Sequence, residues 1–359
     1  MRSLAAEHSY RSALDDYPGG CPPVSPSVSI VVPTRNEIAC LNRLLNDLLA
    51  QDYGNIVEFW FVDGHSHDGT YEALLRVRNM HGCVRVAENA KLGPAAGINI
   101  ALRRAAGDIV MRLDAHARYA PDVVRQSVQA LLRTGAGGVG AIARPAAADT
   151  LVGRAIVAAH RSPVGVGVAK FRKEGAEGWA DTIWNGCYWR HVVDRVGPLR
   201  EDLPRAEDND FNARVRQQGY GLYLTPAIRA HYLPRQGLGA LWRQYFANGI
   251  GVARAVRESR GAVSIRHFAP LALVVLLLSS ALVGMAWPPA LLLTAFMTLC
   301  YVAGLIGAAL VEARRDRGTH LLLLPIVLAV LHLAYGLGSL VGFASLARPW
   351  HRSVSPRST

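Results

Sequence analysis

The sequence predicts an α/β domain, with a mostly parallel sheet flanked by helices, followed by C-terminal transmembrane helices. Up to about residue 113, short β-branched runs alternate with segments of helical spacing, which is typical of such a sheet. Residues 268–346 are almost wholly apolar apart from one basic break. A chain of 359 residues with 51% hydrophobic residues has room for two soluble domains, but this uneven distribution favours one soluble domain and a membrane region.

The predicted elements of the soluble domain alternate in type along the chain. They are strands at 28–32, 57–62, 84–87 and 109–113, and helices at 38–49, 70–80 and 94–105. Glu37, Asp63 and Asp114 each follow one of these strands, at the edge where open α/β sheets bind ligands. Neither GxGxxG nor GxxxxGK follows the first strand, so the pattern does not support a dinucleotide-binding Rossmann unit or a P-loop.

Three apolar segments, at 268–287, 290–311 and 321–346, each reach the length of about 20 residues that a membrane-spanning helix needs. The Arg-rich loop at 312–318 is expected to stay in the cytoplasm, which also places the soluble domain there. The predicted localisation is therefore the cytoplasmic (inner) membrane, multi-pass, with the soluble domain facing the cytoplasm. A re-entrant or interfacial third segment is the alternative, because three arginines after residue 347 would otherwise lie outside.

The remaining boundaries follow from composition. Residues 1–26 mix charge, Ser and Pro, and we expect a disordered tail without a signal peptide. The soluble domain is predicted at 27–237 and the membrane region at 268–347, followed by a tail at 348–359. Between them, 238–267 combines aromatic residues and arginines at helical spacing, which predicts an amphipathic interface helix or an ordinary surface helix.

Charge and cysteine usage narrow the partners and the compartment. The net charge of +12 suits anionic lipid headgroups, pyrophosphate groups or nucleic acid, and the apolar segments favour the first two. We therefore expect contact with membrane lipids and no nucleic-acid partner. The five cysteines are odd in number and include no CxxC pair, which fits a reducing compartment.

Two motifs resemble family 2 glycosyltransferases of the nucleotide-diphospho-sugar transferase (GT-A) fold. SIVVPTRNE at 29–37 is similar to the family's first strand and donor loop, and VDGHSHDGT at 62–70 to its nucleoside loop, VDDGSTDGT. The resemblance extends to about residue 251. It is closest to the branch that adds glucose during succinoglycan-type exopolysaccharide assembly.

The resemblance implies a set of residues that bind the nucleotide-sugar donor: Pro33, Thr34, Glu37, Asp63, Lys91 and Asp114. Asp63 would contact the base, but Gly64 stands where the family has a second Asp, which removes one carboxylate. Lys91 would approach the donor phosphates, with a solvated loop lysine as the alternative. Asp68 is expected to cap the helix that begins near Thr70.

MRLDAH at 111–116 occupies the place of the family's DxD motif, which binds a divalent metal that bridges the donor phosphates. Asp114 and His116 are the implied ligands, and residues i and i+2 of an extended strand face the same side. The cofactor would be Mn²⁺ or Mg²⁺. Because imidazole suits Mn²⁺ better than Mg²⁺, His116 affects that choice or contacts phosphate directly.

RAEDNDF at 205–211 resembles the family's ED motif, at the start of a helix below the acceptor site. The resemblance implies that Asp208 is the catalytic base and that Glu207 positions the acceptor or the base. The implied reaction inverts the anomeric carbon in a single displacement. The donor would be a UDP-hexose, with glucose as the sugar, and the acceptor a lipid-linked saccharide on polyprenyl diphosphate.

Three other functions remain open from the sequence. A processive membrane polysaccharide synthase would carry QxxRW, whereas residues 241–245 read LWRQY. A transport subunit that only binds nucleotide would need polar groups within the apolar segments, which are nearly free of charge. A catalytically silent scaffold is suggested by Gly64 and His116, and opposed by Asp114, Glu207 and Asp208.

Overall fold

The computed structural model describes residues 10–167, 169–203, 207–258, 265–315 and 318–346. The chain folds into two compact units. The α/β unit comprises Met1–Ala148 and Val166–Pro234, and the helical unit comprises Asp149–Gly165 and Arg235–Thr359. The soluble domain predicted at 27–237 differs from the observed unit, which includes the residues before 27 and leaves out Asp149–Gly165 and residues 235–237.

Eleven strands lie in the described part of the α/β unit. They are β1 (Val28–Thr34), β2 (Ile56–Asp63), β3 (Val84–Glu88), β4 (Ile109–Arg112), β5 (Ala117–Tyr119), β6 (Gly138–Ala141), β7 (Arg144–Pro145), β8 (Gly178–Ala180), β9 (Trp184–Trp189), β10 (Leu222–Leu224) and β11 (Ala230–Tyr232). Eight of them form one sheet in the order β3-β2-β1-β4-β9-β6-β10-β8, and β5-β11-β7 form a second, small sheet. Strands β1 to β4 pair in parallel, whereas β9 runs antiparallel to both of its neighbours, β4 and β6.

The helices of the α/β unit flank the large sheet. They are α1 (Ile38–Leu49), α2 (Thr70–Met80), α3 (Pro94–Leu102), α4 (Val123–Thr134), α7 (Arg190–Val196) and α8 (Glu207–Gln217). Helices α1 and α2 have the predicted bounds. In α1, Leu41, Leu44, Leu45 and Leu48 are buried on one face, as their spacing indicated.

Asp68 connects the starts of the first two helices. Its carboxylate accepts hydrogen bonds from the backbone N–H of Thr70 at 3.0 Å and of Ile38 at 3.1 Å. The expected capping role is confirmed, and it extends to a second helix. Asp68 therefore fixes the two loops that follow β1 and β2 relative to one another.

Residues 10–26 lie against the α/β unit, which corrects the expectation of a disordered tail for this stretch; residues 1–9 are outside the described residues. Ala13 is fully buried, and the Tyr17 hydroxyl donates to Asp108 at 2.8 Å. Asp16 accepts from the Tyr220 hydroxyl at 2.7 Å and pairs with Arg195 at 3.3 Å. Composition did not reveal this segment because its few apolar and charged side chains find their partners far along the chain.

The helical unit consists of α5 (Leu151–Arg161), α9 (Leu238–Glu258), α10 (Ala269–Ala286), α11 (Pro289–Ala313) and α12 (Leu324–Leu346); α6 (Pro163–Val166) lies where the two units meet in sequence. Helix α5, whose buried residues include Ile156 and Ala159, belongs here because it packs against α12. Three helices of the described chain are long and apolar enough to cross a membrane, at the three predicted places. The tail at 348–359 lies outside the described residues.

Helices α9 and α12 pack closely along their lengths. The contact depends on Gly338, where an added Cβ would lie 2.1 Å from the Phe246 carbonyl oxygen. A glycine at this position lets the two backbones approach. Helix α9, which covers most of the region predicted as an amphipathic interface helix, is thus one member of a packed helix pair.

Candidate active site

The carboxyl ends of β2, β1 and β4, which are neighbours in the sheet, bring three predicted site residues to one edge. Asp63 ends β2, Glu37 follows β1 and Asp114 follows β4. Glu37 Oε1 lies 3.7 Å from Nδ1 of His116, which is about half exposed. The predicted convergence of these residues is present in the fold.

The donor loops are held together by local hydrogen bonds. Asp63 is buried, and its carboxylate accepts from the Ser66 backbone N–H at 2.9 Å and the Ser66 hydroxyl at 2.5 Å. The Thr34 carbonyl accepts from the Gly64 N–H at 2.8 Å, directly after Pro33 at the end of β1. Among the described residues, the buried Thr34 hydroxyl has no hydrogen-bond partner.

Lys91 pairs with Glu201 and not with Asp114, Glu207 or Asp208. Its ammonium group donates to Glu201 Oε2 at 2.6 Å, and the side chain is 75% exposed. Asn99 also donates to Glu201, at 2.9 Å. The residue expected to approach the donor phosphates therefore pairs with a carboxylate on the segment that leads towards α8.

A partly buried arginine connects the two acidic motifs. Arg112 Nη2 lies 3.5 Å from Asp114 Oδ1 and 3.3 Å from Glu207 Oε1. The Trp184 indole N–H donates to the other carboxylate oxygen of Asp114 at 3.0 Å. We refer to Arg112, Asp114, Glu207 and Asp208 as the acidic cluster.

The cluster shifts the pKa values of its members in opposite directions. Burial opposes ionisation of Asp114, but Arg112, His116 and the Trp184 N–H outweigh it and hold the pKa of that carboxyl below its usual range. Burial raises the pKa of Glu207, and the neighbouring Asp208 adds to this although Arg112 opposes it. The two carboxyl groups bound by one guanidinium are therefore electrostatically distinct.

The acidic residues of α8 have different surroundings. Glu207 faces Arg112, and Asp210 pairs with Arg214 at 2.8 Å on the same helix. Asp208 instead lines a cavity that Asp114 also lines. Arg205 and Ala206, which complete the motif, lie outside the described residues.

A cavity of about 40 Å³ lies beside the acidic cluster. Asp114 and Asp208 both line it, so the structure brings together the predicted metal ligand and the predicted base. The other lining residues, mostly apolar, are Ile98, Leu102, Val110, Arg112, Ile183, Trp184, Asn185, Gly186, Tyr188, Val193, Leu199 and Phe211.

Comparison with known proteins identifies the domain to which β1, β2 and β4 belong. Residues 29–160 match the model of the family described as "Glycosyl transferase family 2". The chain carries a family 2 glycosyltransferase domain. The match includes Asp63, Asp114 and His116, and ends before the acidic motif at 207–208.

Two relatives resemble the chain over most of their length. The succinoglycan biosynthesis protein ExoA of Rhizobium meliloti (strain 1021) is 27% identical over 316 residues, which are 88% of this chain and 94% of that protein. The dolichyl N-acetyl-α-D-glucosaminyl phosphate 3-β-D-2,3-diacetamido-2,3-dideoxy-β-D-glucuronosyltransferase of Methanococcus voltae is 22% identical over 321 residues, 86% of this chain and 95% of that protein. The predicted family resemblance, including the succinoglycan relative, is confirmed.

The fold is also shared with a solved structure. The mannosyltransferase PcManGT from Pyrobaculum calidifontis, in complex with GDP-Man and Mn²⁺, superposes with a TM-score of 0.55 at 24% identity. The match covers 88% of this chain and 87% of that one. The predicted GT-A fold of the glycosyltransferase domain is confirmed.

The side chains of Asp114 and His116, after β4, suit a divalent metal that is shared with a diphosphate. Within the described ranges, no group of three or more His, Cys, Asp or Glu side chains is arranged to hold a metal by itself. Asp114 and His116 offer one carboxylate and one imidazole. Metals that bridge substrate phosphates commonly use only one or two protein ligands, so this pair fits such a site.

Sequence reasoning missed Arg112 as a residue of the candidate site. Its signal is a charge at the end of an apolar strand, two positions before Asp114 and therefore on the same side. Trp184 was not among the predicted site residues either, and its indole N–H donates to Asp114. Its ring lies edge-on to Tyr232, with centroids 5.9 Å apart.

Proposed function

We propose that this protein is an inverting, metal-dependent hexosyltransferase. It would move a hexose, glucose by the resemblance, from a UDP-sugar to a saccharide on polyprenyl diphosphate during exopolysaccharide or cell-surface glycan synthesis. The observation that carries the proposal is the meeting of Asp114 and Asp208 at one cavity, with Arg112 between Asp114 and Glu207. The similarity to a succinoglycan biosynthesis protein supports the pathway class.

Asp208 acts as the general base in this proposal. It takes the proton of the acceptor hydroxyl as that oxygen forms a bond to the anomeric carbon of the donor. The bond from the anomeric carbon to the diphosphate breaks, and its electron pair leaves with the nucleoside diphosphate. A single displacement of this kind inverts the anomeric configuration.

Arg112 and Glu207 hold the base and the metal-side carboxylate in position. Arg112, the last residue of β4, contacts Glu207 on α8 and Asp114 just after β4, which fixes the separation of the two elements at the site. Glu207 accepts from Arg112 at 3.3 Å and is nearly buried, so it is placed to orient the start of α8 and hence Asp208.

The donor is assigned to the loops after β1 and β2. Asp63 and Glu37 bind the nucleoside, and Pro33 and Thr34 line its site, with the Thr34 hydroxyl available as a hydrogen-bonding group. Asp114 and His116 would hold Mn²⁺ or Mg²⁺, which supplies positive charge to the donor diphosphate. The Mn²⁺ and nucleotide-sugar in the PcManGT structure support this assignment.

The acceptor and the location are inferred from the apolar helices. Three helices with the length and composition of membrane spans support a multi-pass protein of the cytoplasmic membrane. The Arg-rich loop after α11 supports a catalytic domain on the cytoplasmic side. Such an enzyme meets a lipid-linked saccharide at the membrane surface, and the name of the Methanococcus relative describes a dolichyl-linked acceptor.

The test is a nucleoside diphosphate release assay on the detergent-purified protein. UDP- and GDP-hexoses are screened with Mn²⁺ or Mg²⁺, and donor binding is measured by calorimetry. Asp208→Asn is expected to abolish turnover while donor affinity stays within about twofold, because the base is not needed for binding. Asp194→Asn, an exposed residue on α7 paired with Arg190, is the control.

Two results would contradict the proposal. Full turnover in Asp208→Asn would remove the base assignment, and loss of donor binding in that variant would move Asp208 to the donor site.

The location has its own test, in which we expect the protein to stay in membranes during alkaline extraction. Release into the soluble fraction would refute the spans.

A further inference from the structure

Asn185, the second residue of β9, combines two costly features. Its backbone has φ of 51°, in the left-handed region that side chains other than glycine rarely adopt. Its side chain is only 5% exposed, and among the described residues its amide carbonyl oxygen has no hydrogen-bond partner. Strained backbone and unpaired buried polar groups persist in folded proteins mainly where function requires them.

The surroundings of Asn185 leave its carbonyl oxygen unsatisfied. The Tyr119 hydroxyl oxygen accepts from the Asn185 amide group, but the single Tyr119 proton goes to the Asp114 carbonyl at 2.9 Å. It also accepts from the Asp114 N–H at 2.8 Å. Tyr119 therefore has no proton left for the Asn185 carbonyl oxygen.

The neighbours of Asn185 hold it at the cavity wall. Trp184 is fixed by its hydrogen bond to Asp114, and an added Cβ on Gly186 would lie 2.3 Å from the Tyr188 ring. Asn185 shares the cavity with Asp114 and Asp208. The strained backbone thus places an amide with an unpaired carbonyl oxygen beside the proposed base.

The chemistry of an amide selects the ligand. It offers donors and an acceptor without charge, which matches a sugar hydroxyl group that both donates and accepts. The cavity of about 40 Å³ exceeds the roughly 10–15 Å³ that one water molecule needs, so a hydroxyl group fits. Two carboxylates, Asp114 and Asp208, and one cation, Arg112, line the cavity, and this negative balance disfavours an anionic ligand.

The strand order separates this site from the donor loops. Asp63 and Thr34 lie on β2 and β1, on one side of β4, whereas β9 lies on the other side. We propose that Asn185 is an acceptor-binding residue, which hydrogen-bonds a hydroxyl of the acceptor sugar next to the one that Asp208 deprotonates. This inference rests on the proposed function.

The test compares Asn185→Gly with the wild type, because glycine adopts positive φ without strain and removes only the amide. The donor is UDP-glucose or whichever nucleotide-hexose the release assay selects. The surrogate acceptors are methyl β-D-glucoside and its monodeoxy derivatives, used at high concentration. Asn185→Gly should lose about tenfold in kcat/KM for transfer to the parent glucoside, as for one lost hydrogen bond with an unpaired partner. Donor binding by calorimetry and donor hydrolysis without acceptor should stay within twofold.

The monodeoxy acceptors identify the hydroxyl that is bound. The wild type should transfer to one of these derivatives about tenfold more slowly than to the parent glucoside. Asn185→Gly should transfer to that derivative and to the parent glucoside at equal rates, because the two changes remove the same hydrogen bond. Three results would overturn the inference: unchanged transfer in Asn185→Gly, weaker donor binding in that variant, or rate losses from the variant and from the deoxy change that add for every deoxy derivative. Wild-type turnover would still support the proposed function in each case. A wild type that releases no nucleoside diphosphate from any donor would instead overturn the proposed function, and this inference with it.

Discussion

Removing the positive charge from the acidic cluster should destabilise the α/β unit strongly. Arg112→Met keeps most of the side-chain volume but leaves Asp114 and Glu207, with side chains 19% and 8% exposed, without their shared cation. Breaking a buried ion pair by deleting one partner costs about 3–5 kcal/mol, and the partial exposure of Arg112 and Asp114 favours about 3 kcal/mol. For a unit of this size the unfolding temperature should fall by about 6–12 °C.

The assay is thermal unfolding in one detergent at pH 7.5, followed by tryptophan fluorescence. The control is Arg118→Met, which breaks an ion pair to Asp47 through a side chain that is 49% exposed and should cost no more than about 1 kcal/mol. Adding Glu207→Gln to Arg112→Met should recover part of the loss, because it removes one of the two uncompensated charges. Equal shifts in Arg112→Met and Arg118→Met would refute the charge argument.

Three further predictions concern other parts of the molecule. Burial opposes ionisation of Asp108, but hydrogen bonds from Ser27 and a tyrosine hydroxyl outweigh it and lower its pKa. Its contribution to stability is therefore present above the unfolded pKa of about 4 and lost as pH falls through the folded pKa. Asp108→Asn should lower the unfolding temperature at pH 7 more than at pH 3.5, and an equal difference at both would contradict this. Gly338→Ala should destabilise the helical unit by about 1–3 kcal/mol through backbone overlap, whereas Gly304→Ala, with open space around it, should not; thermal unfolding compares the two. Trp184→Phe removes the indole hydrogen bond to Asp114 and should weaken Mn²⁺ binding in the presence of nucleoside diphosphate, measured by paramagnetic resonance; unchanged binding would exclude a role in orienting that carboxylate.

The elements predicted correctly depend on patterns within a few residues. Helices α1 and α2 begin and end as predicted because their apolar spacing and the Asp68 cap are local signals. The antiparallel insertion of β9 between β4 and β6 was not predicted, since it pairs Met111 with Cys187, far along the chain. The assignment of α5 to the helical unit has the same cause, because its partner is α12.

The site divides in the same way. Asp114, Glu207 and Asp208 were predicted because the short motifs that contain them resemble those of family 2 glycosyltransferases. Arg112 was not, because its role depends on Glu207, 95 residues later. Asn185 has no sequence signal beyond an Asn-Gly pair, which is typical of turns; its importance comes from burial and a positive φ that only the fold reveals.

The pairing of Lys91 with Glu201 is compatible with the phosphate-binding role proposed for Lys91. An ion pair with a lysine that is 75% exposed contributes only about 0–1 kcal/mol, so moving the ammonium group to a diphosphate costs little. Glu201 would keep the hydrogen bond from Asn99, which also binds the backbone of Leu199 through both of its amide atoms. The segment before α8 therefore remains attached to α3 when Lys91 leaves. A donor that attracts Lys91 would change the charge on this segment without releasing it, which leaves Asp208 in place for the acceptor.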